Sequence, residues 1–356
     1  MTLLDRYIWK NALAGIFIAW MALVTLDSFF GLINELGDVS GTSNYRAIDA
    51  ILYTIYSLPQ RFYEYFPSSI LVGALLGLGR LSSNSEFTAM RAAGISIRKI
   101  VFSTLQLGVA VAFFTFVLGE WIVPVTDNYA QSFKAQQKAQ NVTLSSDRSL
   151  WVKEGNEIIF IQKVIGNDQL SDVSIYRLGD GYKNLEDITT IASARFQKDV
   201  WELTDVTIRR FVDDFITIER IKSTISQNLI NPELLDVAVA EPDQLSSKEL
   251  KKLIRHQQDN GLSAKRFELA YWKHYSIPLS ALVMLILALP FIFTSQRSAN
   301  VGQQIFIGIT VGIGFYLINR VLNELGSVFG FSPVMSAFLP VLLFFGISLL
   351  ALRRVA

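Results

Sequence analysis

Six long apolar segments constrain what this chain can fold into. They run from about Asn11 to Ile33, Gln60 to Leu81, Ile100 to Val123, Ala270 to Phe293, Val301 to Asn323 and Pro333 to Leu352. Each holds the roughly 20 residues that a helix needs to cross a hydrocarbon core. Backbone polar groups in lipid must be satisfied within their own segment, so the pattern predicts six transmembrane helices. The first run is too long for a signal peptide and lacks a small-residue cleavage site, so it reads as a retained anchor. Pro59 and Pro67 interrupt the second, after a helical lead-in over Ala47–Ser57, and Trp121 with Pro124 closes the third. The stretch Gly73-Ala-Leu-Leu-Gly77-Leu-Gly79 is rich in small residues, which lets another helix approach closely.

Between the third and fourth segments the pattern changes. From Thr126 to about Ser263 the chain is polar, first helix-like over Tyr129–Asn141. Short alternating runs follow: Ser149–Lys153, Glu157–Ile165, Val173–Leu178, Ile188–Phe196, Val200–Leu203, Val206–Val212 and Phe215–Ile221. Gly155-Asn156, Gly166-Asn167-Asp168 and Gly179-Asp180-Gly181 punctuate them, which predicts an antiparallel sandwich or open barrel. Ser246 and Glu249 form a capping-box pattern that opens a charged helix ending at Asn260-Gly261. The expected organisation is three spans over 1–125, a β domain over 126–263 and three spans over 264–356.

Six spans put both termini on one side. That side collects Arg6, Lys10, Arg80, Arg91, Arg98, Lys99, Arg297, Arg353 and Arg354, while the short connections opposite hold Arg46 and Arg61. The positive-inside rule then makes the termini cytoplasmic and the β domain external.

The chemistry is sparse. Net charge is +1, which gives no argument for nucleic acid, and the absence of cysteine excludes disulfides and thiolate metal sites. His256 and His274 are the only imidazoles, and no acidic cluster accompanies them. There is no P-loop, no His-Glu-x-x-His and no Gly-x-Ser-x-Gly, so neither a nucleotide-binding nor a hydrolase reading has support in this chain. Asp27, inside the first span, would cost about 2.5–3.5 kcal/mol facing lipid, so it should face a cavity or a partner. Arg61 and Arg320, the latter with Glu324 at i+4, sit near the outer ends of their spans. Structural ion pairs or snorkelling would explain both; the functional alternative is a polar rim around an outward cavity that accepts an anionic headgroup. Its apolar wall would come from Leu26, Phe29, Phe30, Phe66, Ile313 and Phe315.

The second and third spans are joined by Ser83-Asn-Ser-Glu-Phe-Thr-Ala-Met-Arg-Ala-Ala-Gly94. Ser83 with Glu86 reads as a capping box and Gly94 as a left-handed stop, giving a short amphipathic helix with Phe87 and Met90 on one face. Pattern alone leaves open a plain surface turn or a docking knob. In a partner's groove, Phe87 and Met90 would each contribute about 1.5–3 kcal/mol.

This segment, with Leu75-Leu-Gly-Leu-Gly79 before it, resembles the LptF/LptG permeases of the lipopolysaccharide exporter. Leu4-Asp-Arg-Tyr-Ile8, Gly119-Glu-Trp-Ile-Val-Pro124, Leu289-Pro-Phe-Ile-Phe293 with Arg297-Ser298, and the Gly-rich fifth span carry the same resemblance, in the same order from end to end. Ser149-Leu-Trp151 and Ile175-Tyr-Arg177 look more like the LptG branch than the LptF branch. The resemblance implies a non-catalytic, multi-pass permease subunit of a Gram-negative inner membrane, with six helices and a periplasmic β-jellyroll-like domain. It implies an LptF-type partner, an LptB-type ATPase dimer that binds ATP and Mg, and LptC-type and LptA-type bridge proteins. Lipopolysaccharide or lipooligosaccharide would enter an outward-open cavity, partly through a gap lined by spans one and five. The linking helix would become the coupling helix 83–94, with Glu86, Phe87, Met90, Arg91 and Gly94 toward the ATPase. The cavity would take Leu26, Asp27, Phe30, Arg61, Phe66, Ile313, Phe315 and Arg320. Where relatives often carry lysines at the outer end of span one, this chain reads Gly31-Leu-Ile-Asn-Glu-Leu-Gly-Asp38, which leaves two readings: Arg46, Arg61 and Arg320 meet phosphate instead, or the native glycolipid is less phosphorylated or lacks long sugar chains. Two other classes fit the layout less well. Lipoprotein-extracting or peptide-exporting ABC permeases usually have four spans, and a membrane sensor has no need of a capped cytoplasmic helix.

Overall fold

The computed structural model describes residues 2–37, 39, 45–139, 150–165, 169–179, 184–197, 200–212, 215–226, 229, 242–294, 301–329 and 331–353. Arg297, Ser298, Ser149 and Arg354 of the sequence patterns lie outside them. The helices are α1 (Leu3–Gly37), α2 (Ala47–Tyr56), α3 (Leu58–Ser83), α4 (Glu86–Ala92), α5 (Ile97–Val117), α6 (Val123–Ala139), α7 (Ser247–Asp259), α8 (Lys265–Thr294), α9 (Val301–Phe329) and α10 (Pro333–Arg353). Six of these bodies are long and apolar enough to span a bilayer: α1, α3, the α5–α6 rod, α8, α9 and α10. The chain divides into two compact units, one of residues 1–37, 50–130 and 265–356, the other of residues 38–49 and 131–264.

The helical unit is organised around α3 and α8. Glycine explains how α1 lies against α3: a Cβ on Gly15 would strike the Gly73 carbonyl and the Gly77 backbone, and one on Gly73 would strike Ile16. Without a hydrophobic force between helices in lipid, such close backbone approach is what dispersion needs. Trp20 locks the pair by donating from Nε1 to the Phe62 carbonyl at 2.9 Å, with its ring against Phe66 at 4.7 Å. Ile70, Leu71, Leu75, Leu78, Met284, Leu285, Leu289 and Ile292 form the buried centre.

The third span departs from the sequence reading. Pro124 does not end it. A π-turn over Leu118–Ile122 carries α5 directly into α6, with the Val123 N–H reaching back to the Leu118 carbonyl. Proline has no N–H and crowds the carbonyl four residues back, and a widened turn just before it relieves both problems.

The second unit holds a six-stranded antiparallel sheet in chain order: β1 (Leu150–Glu154), β2 (Glu157–Ile165), β3 (Gln169–Leu178), β4 (Leu185–Gln197), β5 (Val200–Val212) and β6 (Phe215–Ser226). One face is buried, with Ile159, Ile161, Leu170, Val173, Ile191, Trp201 and Val206 at its centre. The runs Val200–Leu203 and Val206–Val212 are one strand. Asp205 between them takes φ 53°, opposite Ala192, and Asp172 on the other side of Ala192 takes φ 54°. Two aspartates in left-handed backbone thus lie on one line across the sheet, the short polar side chain being among the few that tolerate it. At the end of the sheet Arg177 spans β2 and β4, reaching Glu157 at 2.8 Å and Asp187 at 3.0 Å. Hydrogen bonding to Glu157 holds its guanidinium pKa above the ordinary value.

Candidate functional site

Two places carry the polar and exposed groups that the sequence singled out, one at each end of α3. At its C-terminal end the chain turns into α4, but not by the expected cap. Ser83 Oγ donates back to the Arg80 carbonyl at 3.0 Å, and Ser85, with φ 59°, is the residue that precedes α4 without any side-chain cap bond. The stop is as read: Gly94 takes φ 87°. Its N–H meets the Arg91 carbonyl and the Ile95 N–H meets the Met90 carbonyl, both at 3.0 Å. That pairing is the Schellman closure.

The orientation of α4 corrects the knob reading. Phe87 is 1% exposed and packs on Phe293 of α8 at 5.6 Å, and Met90 leans on the same core. Ser82 Oγ donates to the Ile292 carbonyl beside them at 2.8 Å. Glu86 accepts from Tyr7 of α1 at 2.7 Å. So the apolar face anchors α4 to its own chain, and the surface left to another molecule is Thr88, Ala89, Arg91, Ala92 and Gly94. Packing against Phe293 already gives Phe87 the hydrophobic gain that a partner's groove would have supplied.

At the N-terminal end of α3, Arg61 meets Asp27 of α1. The guanidinium pairs with the carboxylate and also donates to the Asp27 carbonyl at 3.1 Å. Tyr65, one turn along α3, donates to the other carboxylate oxygen at 2.8 Å and stacks on Tyr316 of α9 at 6.1 Å. Gly31 makes room for this: a Cβ there would collide with the guanidinium. The unfavourable intramembrane aspartate is therefore answered within the chain, by a residue 34 positions away. Arg320 is exposed on α9; the side chain of Glu324 lies outside the described ones.

The expected apolar wall divides in two. Leu26, Phe29, Phe30 and Ile313 are each more than half exposed. Phe66 and Phe315 are not: they are 3% and 5% exposed, Phe66 against Trp20 and Phe315 against Phe344 at 5.1 Å. These two are packing residues of the bundle. Sequence reading missed the rest of the exposed α9 stripe, Phe306, Ile309, Leu317 and Val321, whose spacing of three and four residues marks one helix face.

His274 of α8 lies 3.5 Å from Glu120, brought there by the π-turn. Among the described residues no group of three or more His, Asp or Glu could hold a metal ion.

Comparison with known proteins gives four results. A family model described as "Lipopolysaccharide export system permease LptF/LptG" matches residues 6–354. The chain is similar to the lipopolysaccharide export system permease protein LptG of Escherichia coli K12, 32% identical over 355 residues, covering 99% of this chain and 98% of that protein. It is 33% identical to LptG of Haemophilus influenzae over 344 residues, 96% and 95% of the two chains. To the LptF protein of Escherichia coli K12 it is 28% identical over 113 residues, 31% of each chain.

Proposed function

The chain belongs to the LptF/LptG family of lipopolysaccharide export permeases, and on that premise we propose that it is the LptG-type half of the exporter. The carrying observation is the similarity to LptG over nearly the whole of both chains, against a third of the chain for LptF. An LptF-type permease is the companion that the family implies. The chain is a multi-pass permease and not itself an enzyme; an LptB-type dimer supplies ATP hydrolysis with Mg. The termini and α4 lie in the cytoplasm and the β domain in the periplasm, a reading that the distribution of basic residues supports.

In this reading lipopolysaccharide or lipooligosaccharide leaves the inner membrane through a cavity bounded by the exposed faces of α1 and α9. Leu26, Phe30 and Ile313 meet acyl chains, and Arg320 meets phosphate. Asp27, Arg61 and Tyr65 hold α1, α3 and α9 in register at the rim. The α4 surface with Arg91 docks on the ATPase, while Phe87 transmits the resulting push to α8. Closure of the cavity then delivers the lipid to LptC-type and LptA-type bridges. The test is depletion of this chain from its bacterium. Newly made lipopolysaccharide should remain with the inner-membrane fraction, and arrival at the outer membrane at the normal rate would overturn the proposal.

A further inference from the structure

Three consecutive residues near the start of α1 grip three different parts of the helical unit. Tyr7 Oη donates to Glu86 of α4 at 2.7 Å. Ile8 is fully buried in the core that also holds Leu81 and Phe87. Trp9 Nε1 donates to the Ser103 carbonyl of α5 at 2.9 Å. Successive residues of a helix point about 100° apart, so three in a row clasp much of its circumference. The next turn is held as closely. The Asn11 amide donates to the Tyr7 carbonyl at 2.9 Å, and a Cβ on Gly77 of α3 would strike the Asn11 carbonyl. On the α4 side, the second carboxylate oxygen of Glu86 faces the Asn84 amide at 3.5 Å.

Beyond this clasp α1 is an unbroken rod. It runs 35 residues without proline, whereas α3, α8 and α10 each contain proline inside the helix. Proline is a leading cause of sharp kinks, because it removes a rung of the hydrogen-bond ladder. At about 1.5 Å per residue, Tyr7 and Phe30 stand about 35 Å apart on one rod. At its far end Leu26 and Phe30 are each more than half exposed. The two contacts of α4 therefore lead to different places. The apolar one, Phe87, bears on α8, and the polar one, Glu86, bears on the helix that carries the exposed rim.

We propose that the Tyr7–Glu86 hydrogen bond couples α4 to α1, so that a push on α4 moves the far end of α1 as well as α8. Tyr7 is a positioning residue in this scheme, acting through Glu86, a role that rests on the ATPase docking and lipid export proposed above. Its hydroxyl is the part that acts. The ring is 43% exposed, so removing the oxygen alone leaves the packing in place.

The test uses the assembled complex in proteoliposomes, with ATP hydrolysis and lipopolysaccharide release measured together. Tyr7→Phe should lower the release per ATP hydrolysed by about threefold to tenfold, as suits one half-exposed hydrogen bond. The melting temperature and the co-purification of the ATPase should stay at the parental level, which a merely structural role would not allow alongside that loss. Glu86→Ala should lower release per ATP to the same degree. The double variant should fall no further, because either change alone removes the bond. Glu86→Gln keeps an oxygen that accepts from Tyr7 and should keep most of the release. A Tyr7→Phe complex with parental release per ATP, or losses that multiply in the double variant, would overturn the proposal. Failure of the exporter reading shows separately, as a parent complex that holds no ATPase or releases no lipopolysaccharide.

Discussion

Helices α3 and α8 lie inside the bundle, whereas α1 and α9 lie at its rim. In the spanning windows of both α3 and α8, 78% of residues are buried, against 22% in α1 and 17% in α9. Hydropathy does not make this difference. The buried α3 has a mean hydropathy of 1.2 and the rim helix α1 has 2.0. In water the more apolar helix would go inside. In lipid both are equally well solvated, and position is decided by what packs closely and what pairs. Helix α3 carries Gly73 and Gly77, which admit α1 at backbone contact, and Arg61 and Tyr65, which answer Asp27. Among the described residues, the rim helices keep exposed apolar faces, the surfaces that the proposed function gives to a second permease and a lipid cargo.

Substitutions at the centre and at the rim should therefore separate sharply. The largest effect is expected from Gly73→Leu. It forces α1 off α3 and should cost about 3 kcal/mol or more, seen as a large fall in the melting temperature of the purified complex. If the melt is unchanged, the glycine contact is not what places α3 inside. Phe87→Ala comes next, since it empties a site that is 1% exposed; a loss of about 3 kcal/mol is expected in the same melt. On the proposed docking of α4, Arg91→Glu on its outer face should leave the melt alone yet reduce co-purification with the proposed LptB-type ATPase. Arg61→Ala removes the counter-charge of Asp27, leaving it only the Tyr65 hydroxyl, and should cost about 2 kcal/mol, reduced from the fully buried case because both side chains keep some exposure. Adding Asp27→Ala should recover most of that loss, and a strictly additive double variant would deny the pairing. The smallest expected effect is that of Ile313→Ala, within about 0.5 kcal/mol of the parent, as suits a side chain 53% exposed. Export should nonetheless fall, which a lipid-facing residue without a role would not cause.

The elements were largely legible in the sequence because their signals are local. Six apolar runs gave six spanning helices, and the runs over Glu157–Ile165 and Val206–Val212 carry the alternation of strands, although Val200–Leu203 reads as separate from the second. The Ser246–Glu249 box and the Gly94 stop also depend only on neighbours. The side that each residue faces was not legible. A membrane helix is apolar all round, so periodicity cannot separate Phe66 and Phe315, which are buried, from Phe30 and Ile313, which are not. Asp27 and Arg61 are 34 residues apart, and only the α1–α3 packing brings them together. Ser83 failed as a cap for the same kind of reason: burial of Phe87 fixes where α4 must start, and the local hydrogen bond yields to it. Pro124 was misread as a stop because the π-turn that accommodates it has no sequence signature.

The central claim is that the exposed faces of α1 and α9 are the working surface of a lipopolysaccharide exporter. It is tested most directly by photo-crosslinking in the assembled, ATP-supplied complex, with the reactive side chain placed at Phe30 or Ile313 on the rim, or at Leu285 in the core. The account predicts lipopolysaccharide adducts at both rim positions and none at Leu285. Rim positions that yield no adduct, or a core position that yields as much, would contradict it.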